Sequence, residues 1–389
     1  LEHIVKQGIE VESHIRPMRY LKRCEDNPNN LPSPYCSDYD TTPNFMPENF
    51  PGMVGDLLYG MLYKAPHWDT NRCTEIDTLP FCNLGELSDN LKEMMSRVID
   101  YCNCKDYLIM FAGSVPVSWI AGGHIHCSSN KLDIFEVRDI LYYYQPFIYL
   151  LGQNSSFYKD TQLAMDKRLE LSTLRDSRET LYKIGFSRFG QNCQLSPDTD
   201  MFTCEVRQPS SASLIQAIGT ATFLKACIFC TPPQSQLLDN ELLSLSSVIV
   251  SNGGKTFLRL GTSQPKSQEV SIGKLFKILL YSANFAESLD KALGELSTNM
   301  ANKVKKFYSI FFDGHTMTDY YDSVCERKSL VDQCQALHDI GELEYLRESS
   351  LISNAKPVDK TLTERTGTFI HPRYFNIENK DFEVLMENT

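Results

Sequence analysis

Four short stretches between residues 10 and 207 repeat one arrangement: Glu10-Val11-Glu12, Glu75-Ile76-Asp77, His124-Ile125-His126 and Glu205-Val206-Arg207. In each, two groups able to hold a metal ion, a proton or an anion flank a β-branched residue. On a strand, positions i and i+2 share a face, so each pair would present both groups to one side and its central Val or Ile to the other. If the four strands share a sheet, five carboxylates and two imidazoles crowd one surface. Like charges packed together oppose one another's ionisation, and divalent cations remove that conflict. A mixed carboxylate and imidazole set suits Mg²⁺ or Mn²⁺, and the lack of thiolate within the pairs weakens a structural zinc reading. Arg207 beside Glu205 adds a planar fork for a phosphate or carboxylate oxygen. Metal with arginine points to phosphate chemistry. GGHIHCSS (122–129) by itself fits an ordinary strand, or a zinc hydrolase, equally well; the conjunction of the four pairs carries the reading.

The elements that must position these pairs are legible as alternating strand and helix patterns. KQGIEVESHI (6–15), RCTEIDTLPF (72–81), DYLIMFAGSVPVSW (106–119) and MFTCEVRQPSS (201–211) read as strands. NLGELSDNLKEMMSRVIDYC (83–102) sets Leu84, Leu87, Leu91, Met94, Met95, Val98 and Ile99 on one side of a helix. LDIFEVRDILYYYQPFIYLLG (132–152) predicts a helix interrupted near Pro146, and residues 212–230 predict an apolar helix. Residues 24–70, rich in Pro, Asn, Asp and Tyr, read as a long loop or insertion of the kind that carries substrate choice. The charge-rich stretch 159–179 reads as an exposed segment or as an arginine cluster facing substrate. From about 236 the texture becomes amphipathic and helical, in runs at 238–250, 273–310 and 329–347, and the polar tail after 350 shows little pattern. The expected organisation is a core over 1–235 with an insertion at 24–70, and a mainly helical region over 236–389 that completes or flanks it.

Composition excludes several classes. A formal net charge of -11 argues against a nucleic-acid or anionic-membrane surface, since phosphate backbones need a basic face. No apolar run reaches the roughly 18 residues of a membrane span, and the chain does not open on a charged segment followed by an apolar one. The expectation is a soluble, cytoplasmic protein. Thirteen scattered cysteines read as buried free thiols rather than a disulfide framework. Cys227 and Cys230 have the spacing of a zinc or redox pair, but they fall in a helical run with no second pair to complete a site.

The ordered motifs resemble the glutamine synthetase and glutamate–cysteine ligase superfamily of carboxylate–amine ligases. GGHIHCS is similar to the G-M-H-x-H-x-S strand of glutamine synthetases and most like the amidoligases of the superfamily. Gly8-Ile9-Glu10-Val11-Glu12 matches the opening G-x-E-x-E strand of the glutamate–cysteine ligase-like branch. Glu75-Ile76-Asp77-Thr78, feeding a long helix, matches its second acidic strand, and FAGSVP (111–116) its Gly-x-x-Pro turn. YQPFIYLLGQNSSF (144–157) resembles the branch's helix ending in P-x-x-x-A-L-x-A-N-S-P-F, with Gln153 and Ser156 departing from the usual Ala and Pro. Glu205-Val206-Arg207 matches its E-x-R strand, so the order is reproduced over 6–230. The insertion at 24–70 and the region after 236 have no counterpart.

That resemblance implies an α+β fold, a curved and mainly antiparallel sheet of the glutamine synthetase-like kind backed by helices. It implies ATP with Mg²⁺ or Mn²⁺ on the sheet's concave face, and amide formation through an acyl phosphate. Carried over by position, Glu10, Glu12, Glu75, His124 and Glu205 would be metal ligands, with Asp77 a ligand or the partner of one. His126 and Ser128 would face the nucleotide phosphates, and Arg207 would hold the transferring phosphoryl, with Glu75 and Arg207 forming the catalytic pair. Arg175, Arg178 and Asn154 would bind substrate. The partners would be small-molecule or peptide carboxylates and amines, with neither nucleic acid nor membrane, and the helices of 273–347 could equally dock a second copy as a homo-oligomer. Two alternatives stay open: a guanidino or carboxylate kinase on the same fold, and a non-catalytic binding protein that reuses it.

Overall fold

The computed structural model describes residues 2–26, 67–69, 73–104, 106–113, 115, 121–152, 154, 203–230, 257–260, 268–325, 328–342 and 365–370. Most of the expected insertion, the charged stretch 159–179 with Arg175 and Arg178, and the helical run 238–250 lie outside the described residues.

The main sheet has six strands in the order β2-β3-β1-β5-β6, with β4 also paired to β1: β1 (Val5–Pro17), β2 (His67–Asp69), β3 (Cys73–Asp77), β4 (Tyr107–Met110), β5 (Gly123–Ser129) and β6 (Cys204–Val206). Every pairing in it is antiparallel. Strand β1 is the hub. Its first part runs between β3 and β5, and its last four residues pair with β4, until Pro17, which has no N–H to donate, closes the strand. Odd-numbered residues of β1 face the helices: Ile9, Val11 and Ile15 join the core, and Gln7 Nε2 donates to the carbonyl of Ala221 at 3.0 Å.

Behind that face lie α1 (Met18–Asp26), α2 (Leu84–Cys104), α3 (Ile134–Tyr143), α4 (Gln145–Gly152) and α5 (Leu214–Phe229). Their starts follow from local chemistry. Asn83 caps α2, its Oδ1 accepting from the N–H groups of Gly85 and Glu86 at 2.8 and 3.2 Å. Asp133 and Glu136 close a reciprocal capping box at the head of α3. All seven apolar residues expected on one side of α2 are buried, and the break near Pro146 falls at Tyr144. Helix α5 is apolar on nearly every side and accordingly buried on nearly every side. It lies between the sheet and a further helical layer of α6 (Ile272–Tyr281), α7 (Ala283–Leu293) and α8 (Thr298–Ser309), while α9 (Met317–Cys325) packs on α10 (Leu330–Glu342), which lies against β4 and α1. Gly219 permits that layer to close, because a Cβ there would stand 2.5 Å from the Phe307 ring, and Tyr308 donates to the Gly219 carbonyl at 2.7 Å. One apolar cluster runs through all three layers, so residues from both sides of position 235 share a core.

The C-terminal region differs from expectation in one respect. It holds a three-stranded sheet, β8 (Gln268–Ser271), β7 (Phe257–Leu260) and β9 (Arg365–Ile370), the last pairing parallel to β7. Strand β9 lies within the tail that had shown little pattern. Among the described residues no helix is long and apolar enough to cross a membrane, and ten of the cysteines, Cys227 and Cys230 included, are free thiols.

Candidate metal centre

Strand register brings the four pairs together. Glu10 stands opposite Asp77 on β3 and His124 on β5, Glu12 opposite Glu75, and His126 opposite both Gly8 and Glu205. Residues opposite one another in an antiparallel pair share a face, so all of these belong to the side of the sheet turned from the helices. Glu10, Glu75, Asp77, His124, His126 and Glu205 are all buried there.

The carboxylate of Glu10 is the centre of the cluster and has no solvent exposure. Its Oε2 lies 3.2 Å from His124 Nδ1, and its Oε1 lies 3.1 Å from His126 Nε2. His124 Nδ1 is also 3.6 Å from Glu205 Oε1, the atom to which Arg207 Nη1 donates. Burial is the largest influence on Glu10 and works to raise its pKa; the charge of His126 and the hydrogen bonds of both imidazoles outweigh it, holding the carboxyl well below the usual range. For Glu205 burial again pushes upward, and His124, His126 and Arg207 together bring the carboxyl down.

Two sets of three donor atoms are each gathered within 4.8 Å: Glu10, His124 and Glu205, and Glu10, Glu75 and Asp77. They share Glu10. The donors are carboxylate oxygens with one imidazole, a set suited to Mg²⁺ or Mn²⁺. Glu205 Oε2 is buried with no hydrogen-bond partner among the described residues, as a ligand awaiting a cation would be. The residues present therefore fit a divalent ion.

Not every expected residue takes its expected place. Glu12 stands outside both triads: its Oε2 accepts from the Gly122 N–H and its carbonyl from the Ser211 hydroxyl, which laces β1 to the segments beside it. Asn154 is wholly buried, accepting from Gly113 N–H at 2.9 Å and donating to the Ser211 carbonyl and to Gln216 Oε1 at 2.6 and 3.0 Å, so its amide braces the fold. Ser128 lies on the same face as His126, buried, its hydroxyl without a hydrogen-bond partner. Gly122 and Gly123 have distinct jobs: a Cβ on Gly122 would stand 2.4 Å from His124 Nε2, and one on Gly123 would stand 2.4 Å from the Ser210 carbonyl oxygen.

Two residues had no place in the sequence reading. Thr203 Oγ1 lies 3.1 Å from His126 Nδ1, and His14 is buried with neither ring nitrogen in a hydrogen bond among the described residues. Both were within reach of the i, i+2 rule, since Thr203 precedes Glu205 by two residues and His14 follows Glu12 by two.

No family model and no curated protein matches the chain. Solved structures do. Glutamate–cysteine ligase from Francisella tularensis in complex with AMP is similar to it at 12% identity and a TM-score of 0.49, over 100% of this chain and 99% of that one. The ligase PafA in its complex with the prokaryotic ubiquitin-like protein Pup is similar at 10% identity and a TM-score of 0.41, over 99% of this chain and 79% of that one.

Proposed function

We propose that the chain is an ATP-dependent carboxylate–amine ligase that uses Mg²⁺ or Mn²⁺. The observation that carries this reading is the pair of buried ligand triads sharing Glu10, with the half-buried guanidinium of Arg207 at their margin. The motif order over 6–230 supports the same reaction class. In this reaction the γ-phosphoryl of ATP passes to a substrate carboxylate, giving ADP and an acyl phosphate, and an amine then displaces phosphate to leave an amide.

Glu10, His124, Glu205, Glu75 and Asp77 would hold the ions. When bound, they offset phosphate charge, so that the protein's remaining task is positioning. Arg207 fits a transferring phosphoryl because its fork is anchored at one nitrogen by Glu205, which fixes its direction. Ser128 offers a hydroxyl on the same face. The core over 1–235 carries the site, and the helices after 236 buttress α5 from behind.

The test is an ADP-release screen crossing amino acids and peptides with amine donors, followed by mass measurement of the product. Glu10→Gln and Glu205→Gln are expected to abolish ADP formation while the circular dichroism spectrum is retained. Unchanged turnover in either variant sinks the assignment, and a stable phosphorylated acceptor without amide would replace it with a kinase.

A further inference from the structure

We infer that His126 is a positioning residue for the shared Glu10 carboxylate, and that the Thr203 hydroxyl sets it by holding the ring in the tautomer with its proton on Nε2. This deepens the metal-site reading above and rests on it.

The argument begins with what the two ends of the ring face. His126 Nε2 lies 3.1 Å from Glu10 Oε1, and Nδ1 lies 3.1 Å from Thr203 Oγ1. A carboxylate oxygen can only accept, and an imidazole nitrogen without a proton can only accept. Two acceptors at that separation, buried from water, would repel with nothing to screen them. The proton therefore belongs on Nε2. In the neutral ring Nδ1 is then the acceptor, and of the groups facing it the threonine hydroxyl can donate. Each ring nitrogen thus faces a protein oxygen at 3.1 Å. This positioning role differs from the phosphate role that the sequence resemblance implied for His126.

That role has a clear object. Glu10 belongs to both triads, and each of its oxygens faces one imidazole of β5: Oε1 faces His126, and Oε2 faces His124 at 3.2 Å. The plane of this carboxylate decides the geometry offered to both ions. His124 is itself in a triad, so it is His126 that is free to act purely as a guide, and Thr203, reaching from the segment before β6, prevents its ring from flipping. Groups that orient a ligand in this way typically govern about 10- to 100-fold in metal affinity or activity.

The experiment uses the full chain and Mn²⁺ alone. Calorimetric titration without nucleotide is expected to show weaker Mn²⁺ binding in Thr203→Val by about 10-fold or more, restored to within about 3-fold by Thr203→Ser, which keeps the donor. With metal saturating, the KM for ATP should move by less than about 2-fold in both, since the ring does not touch nucleotide. Wild-type protein labelled with ¹⁵N-histidine supplies a readout independent of variants and of metal: the neutral His126 ring should show the Nε2–H tautomer. An Nδ1–H tautomer overturns the inference. So does unchanged Mn²⁺ affinity in Thr203→Val, or a loss that appears as a raised KM for ATP. Wild-type protein that binds no Mn²⁺ defeats the proposed function instead, a failure distinguishable from those because the tautomer measurement still reads the Thr203–His126 relation.

Discussion

On one side of the main sheet, Ile9, Val11, Ile76, Ile125 and Val206 pack into the core with Phe223 and its ring neighbours Tyr144, Phe147, Phe276 and Phe285. On the other side, the same strands turn Glu10, Glu75, Asp77, His124 and Glu205 toward one another, equally buried. The first surface gains from every contact, because apolar burial is favourable without direction. The second gathers carboxylates that raise the free energy of the folded chain unless imidazole, guanidinium or a cation answers them. One sheet thus carries an apolar face that stabilises by burial and a polar face whose carboxylates are held ionised by the imidazoles and the guanidinium beside them.

The sharpest way to break the comparison is to damage one face and read the other. Glu10→Ala removes the ligand common to both triads, and ADP formation should fall by at least about 10³-fold, with Mn²⁺ binding lost in calorimetry while the thermal midpoint changes little. Phe223→Ala strikes the opposite face and should cost about 3–5 kcal/mol in urea unfolding, leaving Mn²⁺ affinity of the folded protein unchanged. A metal affinity that tracked stability in that variant would mean the faces are not separable. Gly122→Ala is a finer probe, because its Cβ would meet the tip of a side chain, His124 Nε2, rather than backbone. Mn²⁺ affinity should drop about 10-fold with a small loss of stability; Gly123→Ala, pressed against the Ser210 carbonyl, should show the reverse balance.

The smallest effect at neutral pH belongs to His14. Burial, with Arg16 adding to it, lowers its pKa from 6.5 to about 3. The stability it contributes is full above the unfolded pKa and is lost as the pH falls from about 6.5 toward about 3, since the unfolded chain takes up a proton that the folded chain refuses. The slope is at most about 1.4 kcal/mol per pH unit. His14→Phe should flatten acid unfolding in that window and leave the midpoint at pH 7 nearly in place; an unchanged acid slope would show that His14 is not the residue that resists protonation.

Much of this was legible because a strand alternates with a period of two. The four pairs announced their strands before any register was known, and a common face if those strands shared a sheet. Their convergence needed the pairings of β1 with β3 and β5, which join residues far apart in the chain. The bracing by Asn154 was hidden for a related reason: its partners Gly113, Ser211 and Gln216 are distant in the sequence. The second sheet escaped notice because β7 and β8 are four residues each, too short for a pattern to rise above its surroundings.

The place of β1 in the sheet also bears on synthesis. It is made before all three strands that pair with it, and β5, the last of them, is complete only about 110 residues later. At about 5–20 residues per second the ribosome needs roughly 6–22 s to deliver that partner. Through that interval the apolar residues of β1 face the cell with their backbone unpaired, the circumstance in which β-prone segments aggregate. Lys6, Glu10 and Glu12 interrupt the run as gatekeepers. The acids of β1 thus first protect the nascent chain, and replacing them with apolar residues should lower the yield of soluble protein.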